Sequence, residues 1–225
     1  IPDVVFINNL NLPVYADYFE DLSNNINKSE FFPQSLDALT VDGKLCAIPR
    51  DVSTLVIYYN KYLFNKYGVS YPSANWTLNE MFDKSKMLTK DGVFGISYEP
   101  EVYYALPYIH YFGGALFDAK GNNTSFKVSA GLNFYQNLVQ RYHVAPSDAE
   151  RGSKTVAQMF LEQKIAMHLA GRWLVPKYRE CAHFEWDIAE FPQYEASADA
   201  SGWAVYAKSK NKSEAIKFVK FMSGQ

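Results

Sequence analysis

The sequence predicts an α/β protein, and three observations support that class. Segments of β-branched and aromatic residues alternate with segments whose apolar residues recur at helical spacing, an order typical of sheets flanked by helices. Capping motifs begin or end several of the helical segments. Of the 225 residues, 48% are apolar, which is enough for a sizeable core at this length. The alternation of strands and helices further predicts a largely parallel sheet.

The first quarter of the chain contains the most informative strand pattern. Three strands and one short helix are predicted there, at 3–7, 45–49 and 54–59 and at 13–21. A turn is expected at Asp42-Gly43, because both residues tolerate positive φ. The strand at 54–59, TLVIYY, is nearly all β-branched or aromatic, as in strands that are buried on both faces. Between the last two strands, the polar residues Arg50, Asp51, Ser53 and Thr54 predict a break that faces solvent or a ligand.

The rest of the chain continues the alternation. Helices are predicted at 62–67, from 77, and at 103–112, 130–142, 155–163, 173–181 and 213–222, and strands at 94–97, 165–169, 186–190 and 203–207. Gly68 is expected to end its helix in the left-handed conformation. Thr77 and Glu80 have the spacing of a capping box, in which each side chain accepts from a backbone donor of the first turn. A small hairpin turn is predicted at 118–122.

Composition excludes several classes of function. The net charge is −2 and the basic residues are scattered, whereas nucleic-acid binding needs a concentrated positive surface. No apolar segment approaches the roughly 20 residues that span a bilayer. Cys46 and Cys181 are too few and too distant for a metal site or a disulfide framework, so two buried free thiols are expected.

Motifs for chemistry are missing from the sequence. It contains no Gly-x-Ser-x-Gly elbow, phosphate loop or dinucleotide fingerprint. The four histidines lie far apart, and none has the i, i+4 partner of a zinc-binding helix. The sequence therefore predicts binding without catalytic residues, metal or cofactor.

A series of motifs resembles one protein family. The motifs are, in order, PDVVFIN, DGKLCAIP, LVIYYNKYLF, YPSANWTLNEMFDKSKMLT, YIHYFGGALFD, QMFLEQKIAMHLAGRWLVP, WDIAEFP and SGWAVYAKSKNKSEAIKFVKFMSG. Their sequence and order resemble the extracellular solute-binding proteins of sugar ABC transporters, the maltose-binding-protein-like family. The resemblance extends from the first residue to the last.

The resemblance implies a two-lobed, type II periplasmic-binding-protein fold. Residues 1–51 and 203–225 would form the first lobe and residues 52–202 the second, with crossings at 51–54 and 195–202. Family members have further strand–helix units before this segment and helices after it, so the N-terminal lobe is expected to be incomplete. The family's proteins are exported, as periplasmic proteins or lipid-anchored surface proteins. A monomer is expected that holds a sugar in the cleft between its lobes and delivers it to the membrane permease.

The resemblance also selects candidate ligand contacts, because a sugar is held by flat aromatic faces and directional polar groups. Trp173 follows a buried strand and matches the position where the family stacks a tryptophan on the sugar. Arg172 beside it has the donors for vicinal hydroxyls or a carboxylate. Glu101 and Tyr103 match an acid and an aromatic of the family. Trp203 follows a glycine at the start of the return strand.

The other candidate contacts lie in the first lobe or on the crossing between the lobes. Asn8 and Asn9 follow the first strand at its carboxyl end, and an amide both donates to and accepts from hydroxyls. Asp51 and Ser53 lie on the crossing. The maltose-binding protein has a glutamate where Ser53 stands, so the sugar is not expected to be maltose. Trp76 and Trp186 are expected to be structural.

Two alternatives stay open at the level of the sequence. Glu99 and Glu101 form the one carboxylate pair that suggests a carbohydrate-cleaving enzyme, which needs two carboxyl groups about 5–10 Å apart across a cleft. The second alternative is the same fold with a non-sugar ligand such as a glycerol phosphate, a peptide or a polyamine. Arg172 would favour an anionic ligand.

Overall fold

The structure, a computed structural model, describes residues 1–115, 125–193 and 199–224. Its strands are β1 (Val4–Asn8), β2 (Thr40–Val41), β3 (Lys44–Leu45), β4 (Ile48–Ser53), β5 (Leu55–Asn60), β6 (Phe94–Ile96), β7 (Ile165–Gly171), β8 (Trp186–Glu190) and β9 (Asp199–Val205). Its helices are α1 (Leu12–Tyr15), α2 (Pro33–Ala38), α3 (Lys61–Tyr67), α4 (Leu78–Leu88), α5 (Val102–Tyr111), α6 (Ser125–Gln140), α7 (Asp148–Arg151), α8 (Val156–Leu161), α9 (Val175–Cys181) and α10 (Lys212–Met222).

The described residues form two compact units. The first consists of Ile1–Thr54 with the described part of Ser197–Gln225, and the second of the described part of Leu55–Ala196. Strand β4 ends the first segment of the first unit, and β5 begins the second unit after the single residue Thr54.

The first unit is built on a three-stranded sheet in the order β1-β9-β4. Alternate residues of β9 face opposite sides, so Ala200, Gly202 and Ala204 are buried while Ser201 and Trp203 are partly exposed. A side chain on Gly202 would place its Cβ only 2.4 Å from the carbonyl oxygen of Ile48. The close approach of β9 to β4 therefore requires glycine at this position.

The second unit is built on a four-stranded sheet in the order β6-β7-β5-β8. All seven residues of β7 are buried. Ile57 and Tyr59 pack into the larger apolar cluster, whereas Tyr58 packs into a separate cluster with Phe160 and Tyr178. Both faces of β5 are thus buried, which confirms the prediction made from its β-branched and aromatic sequence.

The predicted turns and caps are present. Asp42 and Gly43 have φ of 50° and 78° and join β2 to β3. Gly68 ends α3 in the left-handed conformation with φ of 67°. The Thr77 hydroxyl accepts from the backbone N–H of Glu80, and the Glu80 carboxylate accepts from the backbone N–H of Thr77, as the capping box requires.

The prediction of a largely parallel sheet is wrong. Among the described strands, β6 and β7 pair in parallel and every other pairing is antiparallel. Alternation predicts parallel strands only where a helical crossover joins two neighbours. Strand β5 follows β4 after one residue, and β9 belongs to the first unit although the chain before it belongs to the second. Neither strand reaches its position through a helical crossover.

The prediction that the strand ends at Pro49 is also wrong, because Arg50, Asp51 and Ser53 belong to β4. The predicted exposure of this polar segment is confirmed, since Arg50, Asp51 and Thr54 are exposed. The pairing register with β9 shifts between Pro49 and Asp51, so Arg50 occupies a bulge. The strand continues through polar residues because its partner β9, some 150 positions later in the sequence, pairs with them. A single segment does not reveal such a partner.

Smaller differences concern short or terminal elements. The helix predicted at 13–21 is the single turn α1 followed by a 3₁₀ turn at Ala16–Tyr18. Helices α2 and α7 have too few residues to show a period and were not predicted. Cys46 is a buried free thiol as expected, but Cys181 is exposed at the end of α9. The turn predicted at 118–122 and residues 195–198 of the second crossing lie outside the described residues.

Two tryptophans of the second unit have internal contacts. Trp76 is buried and donates its indole N–H to the carbonyl of Glu190 at 2.8 Å. Trp186 packs on Tyr58 with 5.7 Å between the ring centroids, so both tryptophans have the expected structural role.

No helix in the described part of the chain has the length and apolarity needed to cross a membrane.

The change Gly202→Ala tests the packing of β9 against β4. Because the added Cβ would meet the Ile48 carbonyl, we expect the free energy of unfolding to fall by about 1–3 kcal/mol, as for other overpacked positions. Urea denaturation measures this loss. Ser201→Ala, on the partly exposed side of the same strand, is the control and should cost well under 1 kcal/mol. Equal stability of Gly202→Ala and the parent would contradict this packing.

Candidate ligand-binding site

Trp173 lies where β7 leaves the core of the second unit. The strand ends at Gly171, and a 3₁₀ turn at Arg172–Leu174 follows. The Trp173 side chain is 45% exposed. Its indole ring packs directly against Gly171, since a Cβ there would lie 2.0 Å from Cζ3 of the ring. Glycine at 171 therefore provides the space that the exposed indole occupies.

Two tyrosines of α5 form an aromatic group with Trp173. Tyr103 and Tyr104 stand in the first turn of α5. The Tyr103 and Trp173 ring centroids are 6.3 Å apart with 36° between the planes, and the Tyr103 and Tyr104 centroids are 5.4 Å apart at 72°. We call Trp173, Tyr103 and Tyr104 the aromatic surface. Exposed Glu101 is the N-cap residue of α5, and exposed Arg172 precedes Trp173.

An ion pair holds the segment that leads into α5. The Arg151 guanidinium lies 3.1 Å from the Glu99 carboxylate, and these side chains are 21% and 20% exposed. The hydroxyl of Tyr135 accepts from the backbone N–H of Glu99 and donates to its carbonyl. Burial raises the pKa of Glu99, and the Arg151 charge opposes that shift. Glu99 thus anchors the chain two residues before Glu101.

The sheet of the first unit gathers polar side chains in one row. Asn8 of β1 pairs with Ser201 of β9, and Ser201 pairs with Asp51 of β4. Directly paired residues point to the same face of a sheet. We call Asn8, Ser201 and Asp51 the polar row; Ser53 and Asp199 form the next pair on the same face of the sheet.

An aromatic pair covered by a cation lies beside the polar row. Phe6 pairs with Trp203, and their ring centroids are 5.0 Å apart. The Arg50 guanidinium lies 5.3 Å from the Phe6 centroid and 5.9 Å from that of Trp203, within the range of cation–π attraction. Arg50 also lies 3.7 Å from the Asp51 carboxylate. Within the described residues, the buried indole N–H of Trp203 has no acceptor.

Asn8, the last residue of β1, and Asn9, which follows it, have different hydrogen-bond partners. The side-chain oxygen of Asn8 accepts from the backbone N–H and the amide of Asn11, both at 3.0 Å. Asn9 donates its backbone N–H to the carbonyl of Ala200 at 2.9 Å, which continues the ladder between β1 and β9.

The structure brings the predicted contacts together in two groups. In the second unit, Trp173 and Tyr103 have neighbouring rings, with Glu101 and Arg172 next to them in the chain. In the first unit, Asn8, Asp51, Ser53 and Trp203 lie in paired positions of one sheet.

Several neighbours of these residues were not selected from the sequence. Phe6 and Ser201 each lie two positions before a selected residue, so the period of two along a strand could have identified them. Arg50 and Tyr104 are sequence neighbours of selected residues. Their ring contacts arise from the bulge in β4 and from the helical turn of α5, and neither is visible as a pattern.

Two buried tyrosines of the second unit use their hydroxyl groups in hydrogen bonds, one of them to Gly171. Tyr58 donates its hydroxyl to the Gly171 carbonyl at 2.9 Å, and the hydroxyl of Tyr178 is hydrogen-bonded to Nδ1 of His168. Burial lowers the pKa of His168 to about 3 and raises the pKa of Tyr58 to about 12. His168 is therefore neutral at every pH at which the protein is expected to function.

Comparison with known proteins establishes the class. The whole chain, residues 1–225, matches the family of bacterial extracellular solute-binding proteins, and the chain belongs to that family. The predicted fold class, the α/β fold of type II periplasmic solute-binding proteins, is confirmed by the solved structures it resembles. Membership also places the chain in a class of extracellular binding proteins.

One relative is named an oligosaccharide-binding protein, and two similar proteins have been solved with a bound ligand. The galactooligosaccharide-binding protein of Bacillus subtilis is 26% identical over 216 residues, which cover 88% of this chain and 50% of that protein. The substrate-binding protein Lmo0181 of Listeria monocytogenes, solved with cycloalternan, is 31% identical with a TM-score of 0.88, over 99% of this chain and 61% of that one. The GacH receptor of Streptomyces glaucescens, solved with acarbose, is 26% identical with a TM-score of 0.83, over 98% and 61%. The chain spans about half the length of the curated relatives it matches.

The depressed pKa of His168 makes stability depend on pH. The unfolded state protonates this histidine below about pH 6.5, whereas the folded state does so only near pH 3. The contribution of neutral His168 to the free energy of unfolding is therefore complete above about pH 6.5. It is lost as the pH falls toward 3, by up to about 1.4 kcal/mol per pH unit. Urea denaturation between pH 7 and 5 measures the slope.

The variant His168→Asn supplies the comparison for this slope. Asparagine retains a nitrogen near the position of Nδ1 but does not titrate. We expect the difference in unfolding free energy between parent and variant to shrink as the pH falls from 7 to 5. A difference that stays constant over this range would show that His168 is not held neutral.

Proposed function

We propose that this protein is the solute-capturing component of a bacterial ABC importer, and that its solute is a neutral sugar or oligosaccharide. The single observation that carries the proposal is the aromatic surface, in which the rings of Trp173, Tyr103 and Tyr104 adjoin and Trp173 is 45% exposed. Large aromatic side chains are normally buried. A half-exposed tryptophan that continues into two partly buried tyrosines, with polar residues beside it in the chain, suits a ligand with apolar and polar sides.

A pyranose has both of these sides. Its C–H groups can cover the indole of Trp173, while Glu101 and Arg172 supply an acceptor and donors for its hydroxyls. The names of the relatives support an oligosaccharide over a monosaccharide, since they include galactooligosaccharide and cycloalternan. The polar row of the first unit would supply a second set of hydroxyl contacts.

Two guanidinium groups of the described residues are paired with carboxylates, which favours a neutral ligand over an anion such as a glycerol phosphate. Arg50 lies beside Asp51 and over two aromatic rings, and Arg151 pairs with Glu99 and Asp148. An anion would have to compete with these carboxylates for the guanidinium groups. A neutral sugar can instead bind both members of such an ion pair, because hydroxyls donate to carboxylates and accept from guanidinium groups.

Catalysis is not part of the proposal. Glu99, one of the two carboxylates considered for sugar cleavage, is paired with Arg151, and its backbone is bonded to Tyr135. The family is one of binding proteins. We propose that the protein acts as a monomer, either periplasmic or anchored to the outer face of the membrane by a lipid, and that it delivers its ligand to the permease unchanged.

Calorimetric titration of the full-length protein, with the change Trp173→Ala, tests the proposal. Galactooligosaccharides and α-glucans are titrated beside sugar phosphates, glycerophosphocholine and polyamines. We expect a neutral oligosaccharide to bind and Trp173→Ala to weaken it at least about tenfold, or about 1.4 kcal/mol, through loss of the stacking surface. Tyr62→Ala removes an aromatic side chain that is similarly exposed in the same unit, and should leave the affinity unchanged. Binding of an anion or a polyamine, but of no sugar, would reject the sugar as ligand.

The change Asp51→Ala tests the polar row. Loss of a carboxylate that accepts from sugar hydroxyls should weaken binding about 5- to 150-fold, because an unpaired polar partner costs about 1–3 kcal/mol. Asp37→Ala is the control, since it removes an exposed carboxylate from α2 of the same unit. Equal affinities for these two variants would remove the polar row from the proposed site.

A further inference from the structure

A buried side chain is hydrogen-bonded to the carbonyl that precedes the turn carrying Trp173, and Leu174 of that turn packs against the same apolar cluster. The carbonyl of Gly171 accepts the hydroxyl of Tyr58 at 2.9 Å, and Tyr58 is fully buried. This carbonyl belongs to the peptide group that joins Gly171 to Arg172. Its orientation therefore fixes the backbone direction just before Trp173.

Tyr58 is itself held firmly. Its ring meets Tyr178 edge-on, with centroids 5.0 Å apart and 87° between the planes, and it packs on Trp186 at 5.7 Å. A hydroxyl on so constrained a ring has one position available. The Gly171 carbonyl is thus bonded to a rigid donor in a dry environment, where hydrogen bonds are electrostatically strong.

A second contact at Gly171 makes the turn sensitive to small movements. The indole of Trp173 occupies the space where a Cβ of residue 171 would lie, 2.0 Å from Cζ3. Any rotation of the peptide group at 171 moves the surface on which the indole rests. The same indole has Tyr103 as its neighbour at 6.3 Å.

We infer that Tyr58 is a positioning residue for sugar binding: through the Gly171 carbonyl, its hydroxyl fixes the orientation of Trp173 and hence the spacing of the aromatic surface. The inference rests on the proposed function, because it assigns Tyr58 a part in that site without contact to the ligand. Position 58 has a role that burial alone does not require, since phenylalanine would fill the same apolar space.

The chain contains a matched control for this hydroxyl. Tyr178 lies in the same cluster, is equally buried, and also uses its hydroxyl in a buried hydrogen bond, but its partner is His168. Tyr58→Phe and Tyr178→Phe each remove one buried hydroxyl from the same apolar cluster. Only the first removes a hydrogen bond to the Gly171 carbonyl.

Titration of the full-length protein with the galactooligosaccharide or α-glucan that the parent binds provides the first measurement. We expect Tyr58→Phe to weaken binding about tenfold, as a small misplacement of a contact group does, and Tyr178→Phe to leave the affinity within about twofold. In a Trp173→Ala background, Tyr58→Phe should have no further effect, because both changes act through the same side chain. Unchanged affinity in Tyr58→Phe, equal losses in the two variants, or an effect that persists without Trp173 would overturn the inference.

Hydrogen exchange without ligand separates this inference from the proposed function. We expect the backbone amides of residues 172–174 to exchange faster in Tyr58→Phe than in the parent or in Tyr178→Phe. Faster exchange in a protein that binds no sugar would support the positioning of the turn and reject the sugar. Sugar binding with identical exchange and affinity in all three proteins would uphold the proposed function and reject the role of Tyr58.

Discussion

The constraint on which the rest of the second unit depends is the complete burial of β7 between β5 and β6. A strand with no exposed residue must leave the core abruptly where it ends, and it does so at Gly171. The turn after it lies at the surface of the unit, where Leu174 packs against the core and the side chain of Trp173 stays 45% exposed. The nearby first turn of α5 supplies the aromatic neighbours of Trp173.

In the first unit, the pairing register of three strands determines which side chains lie together. Strand β9 is inserted between β1 and β4, antiparallel to both, and glycine at position 202 allows the close approach to β4. One side of β9 is apolar and buried. The pairing sets the side chains of β1 and β4 beside the other side, so Asn8 and Asp51 come next to Ser201 although they are distant in sequence. A polar surface thus follows from the register of three strands.

Local sequence signals predicted local structure well in this protein. The turn at Asp42-Gly43, the left-handed cap at Gly68 and the capping box at Thr77 depend on neighbouring residues and were found as expected. Strand direction and the extent of β4 depend on partners far along the chain, and both were predicted wrongly. Among the candidate contacts, Trp173 was selected from its motif, whereas the contact of Arg50 with the rings of Phe6 and Trp203 depends on strand pairing and on the bulge in β4.

The sequence by itself determined the α/β class, the family, and most of the helices and strands, because periodicity, capping and motif order are properties of contiguous residues. The tertiary structure alone decided that the sheets are mainly antiparallel, that β4 continues through its polar residues, and that Tyr58 is hydrogen-bonded to the carbonyl beneath Trp173. The physical reason is that a hydrogen bond between residues 113 positions apart leaves no pattern in either segment. It exists only when the strands that carry the two residues are paired.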